Sequence, residues 1–197
     1  MNNSPIRQIE DIIRLRRTIK PEKMNGNVIP DEQIMELLSL ADWAPTHART
    51  EPWRFIVFGD EQVDEFCITH ARLYKEHTAE ASFTKEKQDK LLHIGDRASH
   101  VILCYMKRVS NHKIPEIEEI AATACAIQNL LLSAAARGIA AFWSTGGLTH
   151  HPAMKAHFGL GADDCMLGIL YLGYSDQPPL MEGSRMIPLE EKIRWVR

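Results

Sequence analysis

The stretch from Ile120 to Ala136, IAATACAIQNLLLSAAA, limits what this chain can fold into more than any other. It is helix-forming and apolar on nearly every face, and such a helix has to be covered on all sides. A membrane span needs about 20 apolar residues; this run is slightly short, and Thr123, Gln128, Asn129 and Ser133 interrupt it. The pattern predicts the central buried helix of a soluble core. Gly138 supplies a left-handed C-cap, and Arg137 suits the negative helix end. A short apolar strand, Ile139 to Trp143, follows at once and stops at Ser144-Thr145-Gly146-Gly147. A polar, glycine-bearing loop at the end of a buried strand lets a small ligand approach backbone N–H groups. That loop is the first candidate for function.

Bulk properties exclude several classes. A chain of 197 residues can bury about 70% of its unfolded surface, so neither disulfide nor metal is needed for stability. With 45% hydrophobic and 25% charged residues the composition is that of a globular protein. The 23 basic and 26 acidic residues give a net charge of −3 with no basic run, which argues against nucleic acid as main partner. MNNSPIRQIEDIIR has acidic residues among its apolar ones and no signal-peptide core. Cys67, Cys104, Cys125 and Cys165 are widely spaced and read as reduced core thiols of a cytoplasmic protein. The His and Cys neighbourhoods lack CxxC or HExxH spacing, so no metal site is expected. Neither GxGxxG nor GxxxxGK[ST] occurs. With no repeat and no long linker, residues 1–197 read as a single domain.

In chain order, Ser4-Pro5 reads as a helix start, and Ile6, Ile9 and Ile13 recur on one face. The helix is expected to end in the segment Arg14 to Pro21. On residues alone, its cations serve either as dipole compensation on a solvated last turn or as an anion site, since paired arginines and a hydroxyl suit phosphate. Pro30-Asp31 opens a second helix with Ile34, Leu37, Leu38 and Ala41 inward, ending before Pro45. Ala44 to Trp53 is an irregular polar loop, and Trp53 to Phe58 a strand. Residues 61–95, the most polar part, predict two helices over 61–77 and 84–95 with a solvated face, mobile or variable in pose. Val101 to Met106 is a strand. The loop Asn111 to Pro115 leads into the central helix, whose Glu116, Glu118 and Glu119 suit its positive end. Pro152 to Phe158 reads as a short helix, Met166 to Tyr174 as the clearest strand, and the tail from Gly183 as extended, then helix-like.

Four separated stretches, in order, resemble the FMN-dependent nitroreductase family. Arg16-Arg17-Thr18 resembles its N-terminal Arg-Arg-Ser/Thr motif. Ala44-Pro45-Thr46-His47, followed by Glu51-Pro52-Trp53-Arg54-Phe55, resembles its Ala-Pro-Ser…Gln-Pro-Trp-x-Phe loop and strand. Gly138 through Gly147 resembles the segment after the family's long helix. Met166 to Tyr174, with Arg185 and Pro188-Leu189-Glu190-Glu191, resembles its last strand and C-terminus. The likeness is nearest to the small, single-domain members.

The resemblance implies an α+β fold, a central antiparallel sheet flanked by helices, in an intertwined homodimer with FMN at the subunit interface. It implies that Arg16 and Thr18 hold the FMN phosphate, with Arg185 as a second phosphate cation and Lys192 and Arg194 as weaker candidates. Arg17 would lie near the ring and Lys20 beside its pyrimidine edge. A cation there stabilises the negative charge left by two-electron reduction. Pro45, Thr46 and His47 would reach the FMN of the other subunit, while Trp143, Ser144, Thr145 and Gly146 would line the ring or ribityl chain. Thr46 and Arg49 stand where many members have Ser and Asn, and Glu51 replaces Gln. A carboxylate at Glu51 near a flavin would oppose reduction unless paired with Arg49 or turned away.

The implied activity is an NAD(P)H-dependent flavin oxidoreductase. It would reduce electron-poor small molecules (nitroaromatics, quinones or enones) by two-step hydride transfer, with no protein general acid or nucleophile. Two rivals stand beside it: a reductive dehalogenase of the same fold, and a protein that binds flavin without turning it over.

Overall fold

The computed structural model describes residues 5–110, 113–176 and 183–197. The elements run α1 (Pro5–Leu15), α2 (Asp31–Ala41), β1 (Trp53–Gly59), α3 (Glu61–His77), α4 (Lys85–His93), β2 (His100–Met106), α5 (Glu116–Ala136), β3 (Ala140–Ser144), α6 (Pro152–His157) and β4 (Cys165–Gly173). The strands form one antiparallel sheet in the order β1-β2-β4-β3. β2 and β4 lie in its middle and are covered on both faces, which is why each reads as an almost unbroken apolar run. The edge strand β1 is less completely buried.

Each face of the sheet carries its own core. On one, Ile34 and Leu37 of α2 and Ile127 and Leu130 of α5 pack with Ile102, Leu170 and Leu172. On the other, Phe66 and Tyr74 of α3, Leu91 of α4 and Met154 of α6 pack with Val101, Leu103 and Tyr171. Alternation along β2 and β4 sends neighbouring residues to opposite cores. Polar links tie the layers together. The Ser99 hydroxyl accepts the Ile29 N–H at 2.7 Å and is hydrogen-bonded to His100, whose other ring nitrogen meets Asp31 at 3.2 Å at the start of α2. Arg108 pairs with Glu119, fully buried in the first turn of α5. The Ile139 N–H reaches Ala134 O at 2.9 Å, and Gly138 has φ +70°, closing α5 in the expected left-handed cap.

Three expectations change. First, α1 stops at Leu15, so Arg16 and Arg17 lie beyond its last turn and only Arg14 serves the helix end. From Arg16 to Lys20 the chain belongs to no helix or strand, and the Ile19 N–H donates to Ala141 O of β3 at 3.0 Å. The edge of β3 thus supplies the Ile19 N–H with the partner that it would otherwise lack outside a helix. Ser4 and the side chain of Ile6 fall outside the described residues, as do Asn111 and His112. Second, α5 is covered on one side only. Ile117 is 69% exposed, and Cys125, expected in the core, is exposed with Ala121. Ile9 and Ile13 of α1 are exposed as well. One sheet and one neighbouring helix cannot enclose a helix that is apolar all round. Third, residues 61–95 are not merely a solvated face. Val63, Phe66, Cys67, His70, Ala71, Leu73 and Tyr74 recur at helical spacing beneath the charges and build the second core. The helix-like tail amounts to one 3-10 turn at Glu190–Lys192.

Candidate active site

β3 delivers its last residues to the mouth of a cleft of about 830 Å³. Trp143 is half-buried there, and its indole Nε1 donates to Leu167 O at 3.1 Å. The ring can cross β4 only because residue 168 is glycine, where a Cβ would collide with the indole. The chain then bends. The Ser144 hydroxyl accepts the Gly146 N–H at 3.3 Å, and Gly146 O accepts the Thr149 hydroxyl at 2.6 Å. Gly147 has φ +64°, and a Cβ there would run into the His70 imidazole. His70, buried on α3, accepts the Leu148 N–H at 3.0 Å through Nε2. The loop is therefore held by side chains from β3, α3 and its own turn.

The facing wall is α4 and the turn after it, with Lys87, Lys90, Leu91, Ile94 and Arg97; Lys20 and Pro21 close the end. Acids on the rim have near partners: Glu22 lies 4.0 Å from Lys20, and Asp96 3.2 Å from His93. The Lys87 ammonium sits 5.1 Å over the Tyr74 ring. Burial, then the charge of Lys87, pushes the His70 pKa down to about 4, so the ring is neutral at pH 7. Burial pushes the Cys67 thiol up to about 12 and Cys104 higher still, so neither thiol is a ready nucleophile. The Ser99–His100–Asp31 relay has the residue types of a hydrolytic triad, but Ser99 is buried and its oxygen already accepts the Ile29 N–H. Among the described residues no group of His, Cys, Asp or Glu side chains could hold a metal ion.

Of the residues expected to form a site, Lys20, Trp143, Ser144, Thr145 and Gly146 meet in this cleft. Arg16, Arg17 and Thr18 do not line it but precede Lys20 in the segment whose Ile19 N–H bonds to β3. Arg17 donates through Nη1 to Arg14 O and Arg16 O at 2.6 and 2.7 Å, while its buried Nε has no partner. Arg185 is exposed, bonded to the neighbouring Ser184 carbonyl, and does not line the cleft. Pro45, Thr46, His47 and Glu51 do not line it either. Their loop docks against α5 through His47 Nδ1 and Glu118 Oε2 at 2.6 Å. Ala48, Arg49 and Glu51 have φ of +50°, +55° and +42°, a conformation uncommon for residues with a Cβ and concentrated at functional loops. Among the described residues no ion pair joins Glu51 to Arg49; Glu51 borders a separate shallow hollow with Asp42, Trp53 and Arg54.

Sequence reasoning missed α4 as a wall. The available signal was Lys87, Lys90 and Leu91 at spacings of three and four, which share one helix side. His70 carried no signal, being one histidine among charged neighbours.

A model described as Nitroreductase family matches residues 13–174. The Bacillus subtilis (strain 168) protein YfhC, provisionally named an NAD(P)H nitroreductase, is 30% identical over 186 residues, 94% of this chain and 92% of its own. A solved nitroreductase-like family protein from Bacillus cereus superposes with a TM-score of 0.78 at 29% identity, covering 95% of each chain. A provisionally named nitroreductase from Desulfovibrio desulfuricans, solved in complex with FMN, gives a TM-score of 0.72 at 23% identity, covering 100% of this chain and 99% of its own.

Proposed function

The chain belongs to the nitroreductase family, and on that premise we propose that it binds FMN and uses NADH or NADPH to reduce electron-poor small molecules such as nitroaromatics, quinones or enones. One observation carries this reading. The backbone that places Lys20 and the Ser144–Gly146 bend in one cleft continues into Arg16, Arg17 and Thr18, with a buried Arg17 Nε lacking an acceptor. That set fits a flat ring with an anionic tail, and the FMN complex of the Desulfovibrio desulfuricans protein supports it.

Bound FMN supplies the redox chemistry, a centre that takes up and releases hydride. The chain's own residues bind, orient and shield. Arg16 and Thr18 hold the phosphate, with Arg17 nearby. Two or three charge-assisted contacts at roughly 1.5–3 kcal/mol each, with ring burial, approach the ~8 kcal/mol of a micromolar complex. Lys20 places positive charge where the reduced ring carries negative charge. Trp143, fixed by Leu167 O and Gly168, is a rigid wall, and the Ser144 and Thr145 hydroxyls offer donors. α4 narrows the access of water.

We further assign the bare face of α5 and the exposed Ile9 and Ile13 to contact with a second copy of the chain. Such a homodimer lets the strained Pro45–Glu51 loop reach the partner's cleft, which no single chain allows. Each copy acts as one FMN-binding unit, and its four unpaired cysteines fit the cytoplasm. The purified protein is expected to be yellow and to bleach with NADH or NADPH under anaerobic conditions. Colour without bleaching would leave a flavin-binding protein that does not turn over.

A further inference from the structure

The charges along the cleft do not balance. Of the two carboxylates that line it, Glu22 lies 4.0 Å from the Lys20 ammonium and Asp96 3.2 Å from the His93 imidazole. Lys87 is drawn over the Tyr74 ring. Lys90 of α4 and Arg97 of the turn after it remain, both exposed and both lining the cleft. Among the described residues neither has an ion-pair partner. They line the same cleft as the Ser144–Gly147 bend and lie on a different segment from the Arg16–Thr18 phosphate candidates. Two cations without ion-pair partners on a concave surface attract an anion, and both arginine and lysine bind phosphate.

We propose that Lys90 and Arg97 hold the 2′-phosphate of NADPH, so that this protein prefers NADPH to NADH as reductant. The inference rests on the flavin reading above, because it takes the FMN phosphate to lie with Arg16 and Thr18. That leaves the α4 cations for the second ligand of the same cleft. A diphosphate shared by both dinucleotides would not distinguish them; an additional terminal phosphate does. With the FMN phosphate assigned to Arg16 and Thr18, the 2′-phosphate of NADPH is the remaining monoester dianion among the ligands proposed for this cleft.

The test compares the FMN-loaded wild type with the Lys90→Ala/Arg97→Ala variant. Anaerobic bleaching rates are measured against NADPH and NADH, and the affinities of 2′,5′-ADP and 5′-AMP are measured by titration. The wild type should favour NADPH and bind 2′,5′-ADP more tightly than 5′-AMP. In the variant the ratio of NADPH to NADH efficiencies should fall at least tenfold, and 2′,5′-ADP should lose its advantage. Equal losses for both dinucleotides would place the cations on the common diphosphate and overturn the assignment. Lost FMN absorbance would place them on the flavin and overturn it equally. A wild type that bleaches without preferring NADPH sinks this inference alone, whereas one that holds no flavin sinks the functional reading beneath it.

Discussion

The His70 imidazole accepts the Leu148 N–H at 3.0 Å and lies so close to Gly147 that residue 147 can carry no side chain. One ring on α3 thereby fixes the bend that ends β3 at the cleft. The acceptor role requires a neutral ring with its proton on Nδ1, and that nitrogen is buried without a partner. The contact is thus made at the expense of an unsatisfied donor, worth about 1–3 kcal/mol.

Stability should fall in acid through this residue. The folded pKa of about 4 lies below the ordinary value of 6.5, so between those pH values the unfolded chain binds a proton that the folded chain refuses. Stability therefore rises with pH across this window and is complete above it, the span being roughly 3 kcal/mol. Urea midpoints at pH 7 and pH 4.5, compared with those of His70→Phe, test this. The variant should be less stable at pH 7, because the Leu148 N–H loses its acceptor, but less sensitive to acid. An unchanged difference between the two pH values would remove His70 from the account.

Substitutions at the two loop glycines should separate. Gly147→Ala forces a Cβ both into the left-handed region and into His70, at about 1–2 kcal/mol for the first and 1–3 kcal/mol for the second. At Gly146 the nearest atom to such a Cβ is Ser144 Oγ at 3.7 Å, ordinary contact, and φ is not positive. Chemical denaturation should show a large loss for Gly147→Ala and less than about 1 kcal/mol for Gly146→Ala. Equal losses would show that His70 does not shape the bend.

Arg16→Ala should weaken FMN retention far more than folding. The residue follows the end of α1, so no helix depends on its charge, and losing one charge-assisted contact of roughly 1.5–3 kcal/mol corresponds to about a tenfold to hundredfold loss of affinity. Flavin content after gel filtration and the melting temperature of the flavin-free protein measure the two effects separately. A melting loss that matches the flavin loss would return this arginine to a structural role.

Arg108→Ala should destabilise by about 3–5 kcal/mol, since it strands Glu119, whose carboxylate is buried in α5 and already has one oxygen without a partner. Arg108→Met combined with Glu119→Leu should lose much less, because it buries no lone charge. Thermal melts of both variants decide, and the ion pair is secondary if the single and double changes behave alike.

Much of this fold was written in local pattern. The apolar run over Ile120–Ala136, the glycine at 138 and the strands at Trp53, Val101 and Met166 need only helical or alternating periodicity and a turn residue. Lys20, Trp143, Ser144, Thr145 and Gly146, which the stretches resembling the family single out, line one cleft. α1 ends at Leu15, within the expected segment, but the course of the cations after it was not legible: the Ile19 N–H bonds to Ala141 O of β3, and no local propensity records a sheet edge 122 residues away (Ile19 to Ala141).

What the sequence by itself determined, then, is the set of elements and the chemistry at the end of β3, both consequences of short-range periodicity and residue type. The tertiary structure alone decided that α4 faces that chemistry, that His70 sets its bend, and that one side of α5 stays uncovered. Each of these depends on which surfaces meet when two cores close on opposite faces of one sheet, and no window of consecutive residues contains that information.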